Sequence, residues 1–150
     1  MIAVLQRVSG AKVSVDGETV GECRSGLAIL LGVAEGDSIK DAEVLAEKIS
    51  KMRIFSDEGG KMNLSVMDID GEALVVSNFT LLANYKKGNR PDYLNAAKPD
   101  EANTLYRYFC ELLEKNVKHV GRGVFGADMK IDISADGPVT VVMDSKILIK

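Results

Sequence analysis

Histidine and cysteine are almost absent from this chain, which removes most conventional catalytic and metal chemistry at the outset. The one histidine, His119, follows an expected helix and reads as a surface residue favoured by that helix's C-terminal dipole. A zinc site needs three or four clustered ligands. One histidine with the distant Cys23 and Cys110 does not supply them, so no metal and no cofactor are expected. No GxxxxGK[ST] loop and no GxGxxG after a strand is present; Gly121-Arg122-Gly123-Val124-Phe125-Gly126 is glycine-rich but insufficient alone. No apolar run approaches the roughly 20 residues of a membrane helix. Met1-Ile2-Ala3-Val4 leads directly into Gln6-Arg7 without the pattern of a signal peptide. A cytoplasmic protein with reduced, mostly buried thiols and no membrane partner is the expectation. The net charge of -3 argues against broad, nonspecific nucleic-acid binding. It leaves room for contact with a small part of an RNA.

What is present suits a core. The apolar fraction is 46% and the charged fraction 27%, consistent with one compact domain over residues 1–150. Ile2 to Val8 is apolar and β-rich, Lys12 to Val15 alternates, and Asp16-Gly17 is a strong hairpin turn signal before a returning strand, Glu18 to Cys23. Gly26 to Val33 is a continuous apolar run, as expected of a strand buried on both faces. A helix should start at Asp37 or Ser38, with Ser38 and Asp41 approximating a capping box. Its inward face is Ile39, Ala42, Leu45, Ile49 and Met52. Arg53 to Phe55 reads as a short strand and Glu72 to Leu82 as a long one. A polar stretch from Asn84 to Lys98 carries the breakers Gly88 and Pro91. A second helix runs from near Pro99 to about Val117, with Ala102, Leu105, Phe109, Leu112 and Leu113 inward. Gly121 to Gly123 reads as a loop. Lys130 to Ser134, Val139 to Met143 and Ile147 to Ile149 complete the sheet. This order is not that of a doubly wound parallel sheet. It predicts a mixed α/β fold in which largely antiparallel β-sheets form a barrel-like core with two main helices.

Two distant segments carry the candidate chemistry. In Ser77-Asn78-Phe79-Thr80-Leu81, a regular strand would place Ser77 and Phe79 on one face and Asn78 and Thr80 on the other. From pattern alone this is either a strand edge whose hydroxyls bond backbone or a site at which the strand ends. A nucleophilic Ser77 or Thr80 needs an adjacent base, and none is evident. If catalytic, the segment therefore supplies backbone N–H donors. Asp136-Gly137-Pro138-Val139-Thr140 reads equally as a turn between strands. Lys86-Lys87-Gly88-Asn89-Arg90 is the one basic cluster, either solvated or in contact with phosphates. Arg7 lies in an apolar strand and needs a partner for its charge.

Taken together these segments resemble the bacterial-type D-aminoacyl-tRNA deacylases over essentially the whole chain. Val4-Leu5-Gln6-Arg7-Val8 matches the family's N-terminal strand, and Ser77 to Leu81 its first motif, usually Ser-Gln-Phe-Thr-Leu. Lys87-Gly88-Asn89-Arg90-Pro91 matches a basic loop, Phe125 to Met129 a further segment, and Asp136 to Thr140 the second motif. Asn78 stands where glutamine is usual, and Ala135 where an asparagine usually opens the second motif. The resemblance implies a homodimer that hydrolyses the ester between a D-amino acid and the 3′-terminal adenosine of tRNA, with the RNA's 2′-OH assisting. It implies that Gly137-Pro138 is cis, enters the partner protomer's site and excludes L side chains while tolerating glycine. It places Phe79 and Thr80 at the aminoacyl group, supported by Ser77 and Asn78. Ala102 would face the adenosine, Met129 would pack nearby, and Lys86, Lys87, Arg90 and Arg7 would serve tRNA binding. Editing of a mischarged L-amino acid, a non-catalytic RNA- or DNA-binding module and a hydrolase of small D-amino-acid esters are the competing readings.

Overall fold

A computed structural model describes residues 1–149. The fold is built around β1 (Ile2–Val15), the longest apolar segment at the N-terminus. The Asp16-Gly17 turn, both residues at positive φ, returns the chain into β2 (Glu18–Cys23), antiparallel to the second half of β1. β3 (Gly26–Gly32) pairs antiparallel with the first half, from Ile2 opposite Gly32 to Val8 opposite Gly26. β8 (Lys130–Asp144) runs antiparallel along the other edge of β1. Beyond β3 the sheet becomes parallel, through β6 (Glu72–Ser77) and then β7 (Val120–Arg122).

The sheet curls until β2 and β7 nearly meet. A Cβ on Gly21 would lie 2.2 Å from the Arg122 carbonyl oxygen, and one on Gly121 would lie 2.4 Å from that of Glu22. Two glycines therefore permit the backbone approach that almost closes the barrel. His119 sits at this seam, its Nε2 3.0 Å from the Glu22 carbonyl oxygen.

The run from Gly26 is buried on both faces, as its unbroken apolar character predicts. One face of the sheet, with Leu5, Leu27, Ile29, Leu31 and Val75, packs against α1 (Ile39–Lys51) and α2 (Pro99–Glu114). The other, with Val8, Val13, Ala28, Leu74 and Val76, fills the barrel interior. The Ser38–Asp41 capping box is formed, with the Asp41 carboxylate accepting from Ser38 N at 2.8 Å and Ser38 Oγ at 3.0 Å. Pro99 opens α2, and Ala102, Leu105, Phe109 and Leu113 are buried along it. Ile39, expected inward, is 57% exposed. Cys23 and Cys110 are free and buried.

The boundaries differ from expectation in several places. Phe55–Ser56 forms β4, starting two residues and ending one residue later than expected, and pairs with Met62–Leu64 as β5. Gly121 belongs to β7, where it pairs with Leu74 of β6. Lys130–Ser134 and Val139–Met143 are parts of one strand, β8, interrupted by a bulge. Ile147 lies not in a strand but in α3 (Ser145–Leu148), whose first turn is capped by the Asp144 carboxylate accepting from Lys146 N at 2.9 Å. This last turn seals a buried ionic cluster. The Met1 ammonium lies 2.8 Å from Asp37 and donates to Ser145 Oγ at 2.6 Å, while Ser145 and Lys146 both donate to Asp41. No helix among the described residues is long and apolar enough to cross a membrane.

Candidate active site

The first candidate segment takes its geometry from the end of β6. Asn78 N still donates to Leu31 O, at 2.8 Å, in the β3 ladder. One step further the Val33 carbonyl accepts from Ala97 N at 3.0 Å, and no amide of residues 79–82 is found bonded to it. The strand expected to reach Leu82 stops at Ser77, and Phe79–Leu82 winds into a short 3-10 turn. Leu81 N and Ala83 N bond back to Asn78 O and Thr80 O. The first amides of such a turn have no partner within it. Among the described residues, no backbone acceptor is found for the N–H groups of Phe79 and Thr80. The Thr80 hydroxyl donates to Asn78 Oδ1, which fixes both side chains beside these amides.

The turn borders a cleft of roughly 680 Å³. Leu30, Leu31, Val33 and Val76 form its apolar floor, and Ser77 to Thr80 one wall. Ala96, Ala97, Pro99, Ala102 and Tyr106 form the second wall, and Phe125 to Met129 with Ile131 the third. A mostly apolar cleft with a few convergent polar groups is the usual form of a small-molecule site. Pro99 and Ala102 are small residues at the start of α2, and they leave the cleft open there. Tyr106 donates its hydroxyl to Val75 O at 2.8 Å, and burial raises its pKa, so the phenol stays protonated. Phe79 is 58% exposed at the rim, where Tyr93 meets it edge-on at 5.1 Å between centroids.

The cleft brings together Ser77, Asn78, Phe79, Thr80, Ala102 and Met129 from the expected set. It also contains Tyr106, Phe125 and Pro99, which sequence reading did not single out as site residues. Tyr106 follows Ala102 by four positions and precedes Phe109 by three, so helical periodicity carried the signal for it. Lys86, Lys87 and Arg90 lie on an exposed loop above the rim rather than in the cleft. That loop is closed at its base by paired backbone bonds between Asn84 and Asp92, 2.8 and 2.9 Å.

The second segment lies outside the same chain's cleft. Opposite β1, Val8 pairs with Ala135 and Gln6 with Thr140, so Arg7 alone faces Asp136, Gly137, Pro138 and Val139. These four residues bulge outward and are mostly exposed. The Gly137–Pro138 peptide bond is cis, and a Cβ on Gly137 would lie 2.5 Å from Val139 N. Arg7 holds the bulge from beneath. Its Nε donates to Asp136 O at 3.1 Å and its Nη1 to Ile54 O at 2.9 Å, with the Asp136 carboxylate 3.3 Å away. The charge anticipated to need a partner has one, and it is the bulge.

Ser77, Thr80 and Asp128 line the cleft, but among the described residues neither hydroxyl is hydrogen-bonded to the Asp128 carboxylate or to any other base; the Thr80 hydroxyl donates to Asn78. Burial pushes the Cys23 and Cys110 thiols up to about 11, so both stay protonated at neutral pH. His119 is at the barrel seam. Among the described residues no group of three or more His, Cys, Asp or Glu could hold a metal ion. The arrangement can bind an apolar or aromatic group in the cleft, and the two amides without backbone acceptors belong to residues that line it.

Comparison with known proteins places this geometry in context. The model of the family described as D-Tyr-tRNA(Tyr) deacylase matches residues 4–144. A protein of Sulfurihydrogenibium sp. (strain YO3AOP1) named D-aminoacyl-tRNA deacylase is 58% identical over 146 residues, covering 97% of this chain and 99% of its own. One of the same name from Persephonella marina is 55% identical, covering 99% and 100%. A solved structure described as c-Myc DNA Unwinding Element Binding Protein superposes with a TM-score of 0.91 at 41% identity, over 96% of this chain and 98% of that one. Another, described as a probable eukaryotic D-amino acid tRNA deacylase, shares the fold at a TM-score of 0.82 and 14% identity, over 95% and 97%.

Proposed function

The chain belongs to the D-Tyr-tRNA(Tyr) deacylase family, and from that membership we propose how its site works. It is a hydrolase of ester bonds, a D-aminoacyl-tRNA deacylase, releasing free D-amino acid and tRNA. The terminal adenosine enters the apolar cleft, with Ala102 leaving room for it and Met129 packing alongside. The ester carbonyl then lies at the rim over the 3-10 turn. Water adds to the carbonyl carbon, and the N–H groups of Phe79 and Thr80 receive the developing oxyanion. The 3′ oxygen leaves with the electron pair of the broken C–O bond and takes a proton, with the neighbouring 2′-OH of the RNA assisting. Such an ester is activated enough for orientation and fixed dipoles to carry most of the catalysis. The observation that carries this reading is the pair of amides without acceptors on a mostly apolar cleft in which, among the described residues, no hydroxyl is hydrogen-bonded to a base.

The Gly137–Pro138 bulge is read as the chiral gate of a homodimer, inserted into the partner protomer's cleft. Its exposure, its position away from its own chain's cleft and its attachment to Arg7 support this. Backbone carbonyls around the substrate's chiral centre leave no space for an L side chain. Glycine has no side chain to exclude, so glycyl-tRNA is also a substrate. Lys86, Lys87 and Arg90 meet phosphates at the 3′ end of the tRNA. The site of action is the cytoplasm.

Metal-free deacylation of D-tyrosyl-tRNA beside L-tyrosyl-tRNA tests the reading. Loss of the D form with the L form untouched is expected. Loss of both removes the gate from the argument, and loss of neither removes the activity. DNA binding without turnover is a second reading, suggested by the name of the 41% identical structure. The net charge of -3 and the restriction of clustered basic residues to one loop count against it.

A further inference from the structure

The loop above the cleft carries a feature that phosphate contact does not use. Tyr85 is 79% exposed, and Leu94 on the opposite stem is 82% exposed. Both flank a stem that is held firmly. Besides the paired backbone bonds, Asn84 Nδ2 donates to Asp92 Oδ2 at 3.0 Å, Lys86 N to Asn84 Oδ1 at 3.3 Å and Leu94 N to Asp92 Oδ1 at 3.2 Å. Asp92 is thus committed to the stem. Among the described residues Lys86, Lys87 and Arg90 have no carboxylate within ion-pair distance. An exposed aromatic ring on a rigid stem beside three unneutralised cations matches how proteins hold single-stranded nucleic acid. Basic groups follow the backbone, and aromatic rings stack on bases.

The loop is tied to the rim at both ends. Ala83 N bonds to Thr80 O, and Tyr93, next to Asp92, packs edge-on against Phe79. Tyr85 follows Thr80 by five residues, so it is at most about 18 Å away. A ring there is within reach of the unpaired nucleotides that precede a terminal adenosine seated in the cleft.

We propose that Tyr85 is a stacking platform for an unpaired base next to the 3′-terminal adenosine, with Lys86, Lys87 and Arg90 neutralising the adjoining phosphates. This rests on the deacylase reading and adds a binding residue to it. Tyr85 is not a catalytic residue, because it does not reach the reacting atoms.

Two readouts separate this inference from the reading beneath it. The first is the affinity of a fluorescent acceptor-arm RNA with an unpaired CCA end, measured by anisotropy for the native chain, Tyr85→Ala and Tyr85→Phe. The second is KM and kcat for D-tyrosyl-tRNA and for the minimal ester 3′-D-tyrosyl-adenosine. Tyr85→Ala is expected to weaken RNA binding and raise KM for D-tyrosyl-tRNA about tenfold with kcat unchanged. Tyr85→Phe keeps the ring and should match the native chain. The minimal ester, which has no preceding base, should be unaffected. Unchanged RNA affinity in Tyr85→Ala, an equal effect on the minimal ester, or failure of Phe to restore binding overturns the proposal. RNA binding that depends on the Tyr85 ring in a chain without turnover would support the platform and overturn the deacylase reading.

Discussion

Replacing Arg7 by methionine tests the claim that one side chain fixes the Gly137–Pro138 bulge. Methionine keeps the apolar stem but removes every donor. The Arg7 side chain is 14% exposed and donates to two carbonyls, those of Asp136 and Ile54. Hydrogen bonds to a charged group contribute about 1.5–3 kcal/mol each. The Asp136 carbonyl lies on an exposed bulge whereas Ile54 is 7% exposed, so the lower part of that range applies to the first bond. The ion pair with Asp136, whose side chain is 61% exposed, adds about 0–1 kcal/mol. The expected loss is about 3–5 kcal/mol, a fall in Tm of roughly 6–20 °C for a chain of this size. Asp136→Ala should cost under about 1 kcal/mol, because the backbone carbonyl that Arg7 holds remains. Arg7→Lys keeps the charge but cannot fork between two carbonyls, and it should restore stability only in part. The functional assay is the ratio of D- to L-tyrosyl-tRNA hydrolysis. If the bulge is the gate, the ratio falls at least about tenfold in Arg7→Met, with D turnover reduced less. A stability loss below about 1 kcal/mol refutes the anchoring argument. The expected stability loss with an unchanged ratio refutes the gate.

Thr80→Ala removes the hydroxyl that donates to Asn78 but leaves the Thr80 amide in place. Single-turnover rates should fall about tenfold or less, against the 10^4- to 10^6-fold on the order expected for loss of a true nucleophile. Asp41→Asn should cost about 3–5 kcal/mol in urea unfolding at neutral pH, because its carboxylate is 2% exposed and serves Ser145, Lys146 and the Met1 ammonium. Burial alone would raise the Asp41 pKa, but hydrogen bonds from Lys146, Ser145 and Ser38 outweigh it and hold the carboxyl well below the usual range. A folded pKa below the unfolded one gives stability that is present above about pH 4 and lost as pH falls, so native and Asp41→Asn stabilities should converge in acid.

Elements defined by local chemistry were readable from sequence. The Asp16-Gly17 hairpin, the Ser38–Asp41 capping box and the Pro99 helix start each depend on residues a few positions apart. The doubly buried β3 was readable from its unbroken apolar run. What was not readable depends on partners distant in sequence. Glu72 to Leu82 has the composition of one strand, yet it ends at Ser77, and beyond it the Val33 carbonyl accepts from Ala97, distant in sequence. Gly121 resembles a loop residue until it pairs with Leu74 of β6, distant in sequence. Ile147 is β-branched, but Ser145 must reach both the Met1 ammonium and Asp41, and that forces a helical turn. In the site, Arg7 could be assigned a need for a partner but not the partner itself, because the four-residue bulge is a mismatch of register between β1 and β8.

These same tertiary mismatches create the proposed chemistry. An amide becomes a free donor only where a ladder stops, and a backbone segment projects only where two strands fall out of register. In this fold the first occurs at the Phe79–Thr80 turn and the second at the Asp136–Val139 bulge, and neither depends on an ionisable side chain at the reacting centre. A chiral gate made from side chains could relax around an L substrate by changing rotamers. One made from backbone fixed by Gly137 and by the guanidinium hydrogen bond to Asp136 O has no such freedom. Substitutions that keep the backbone course at residues 77–80 should therefore be milder than substitutions of the residues that set it, Arg7 and Gly137 among them. In this enzyme, sensitivity to mutation should follow control of the main chain more closely than proximity to the substrate.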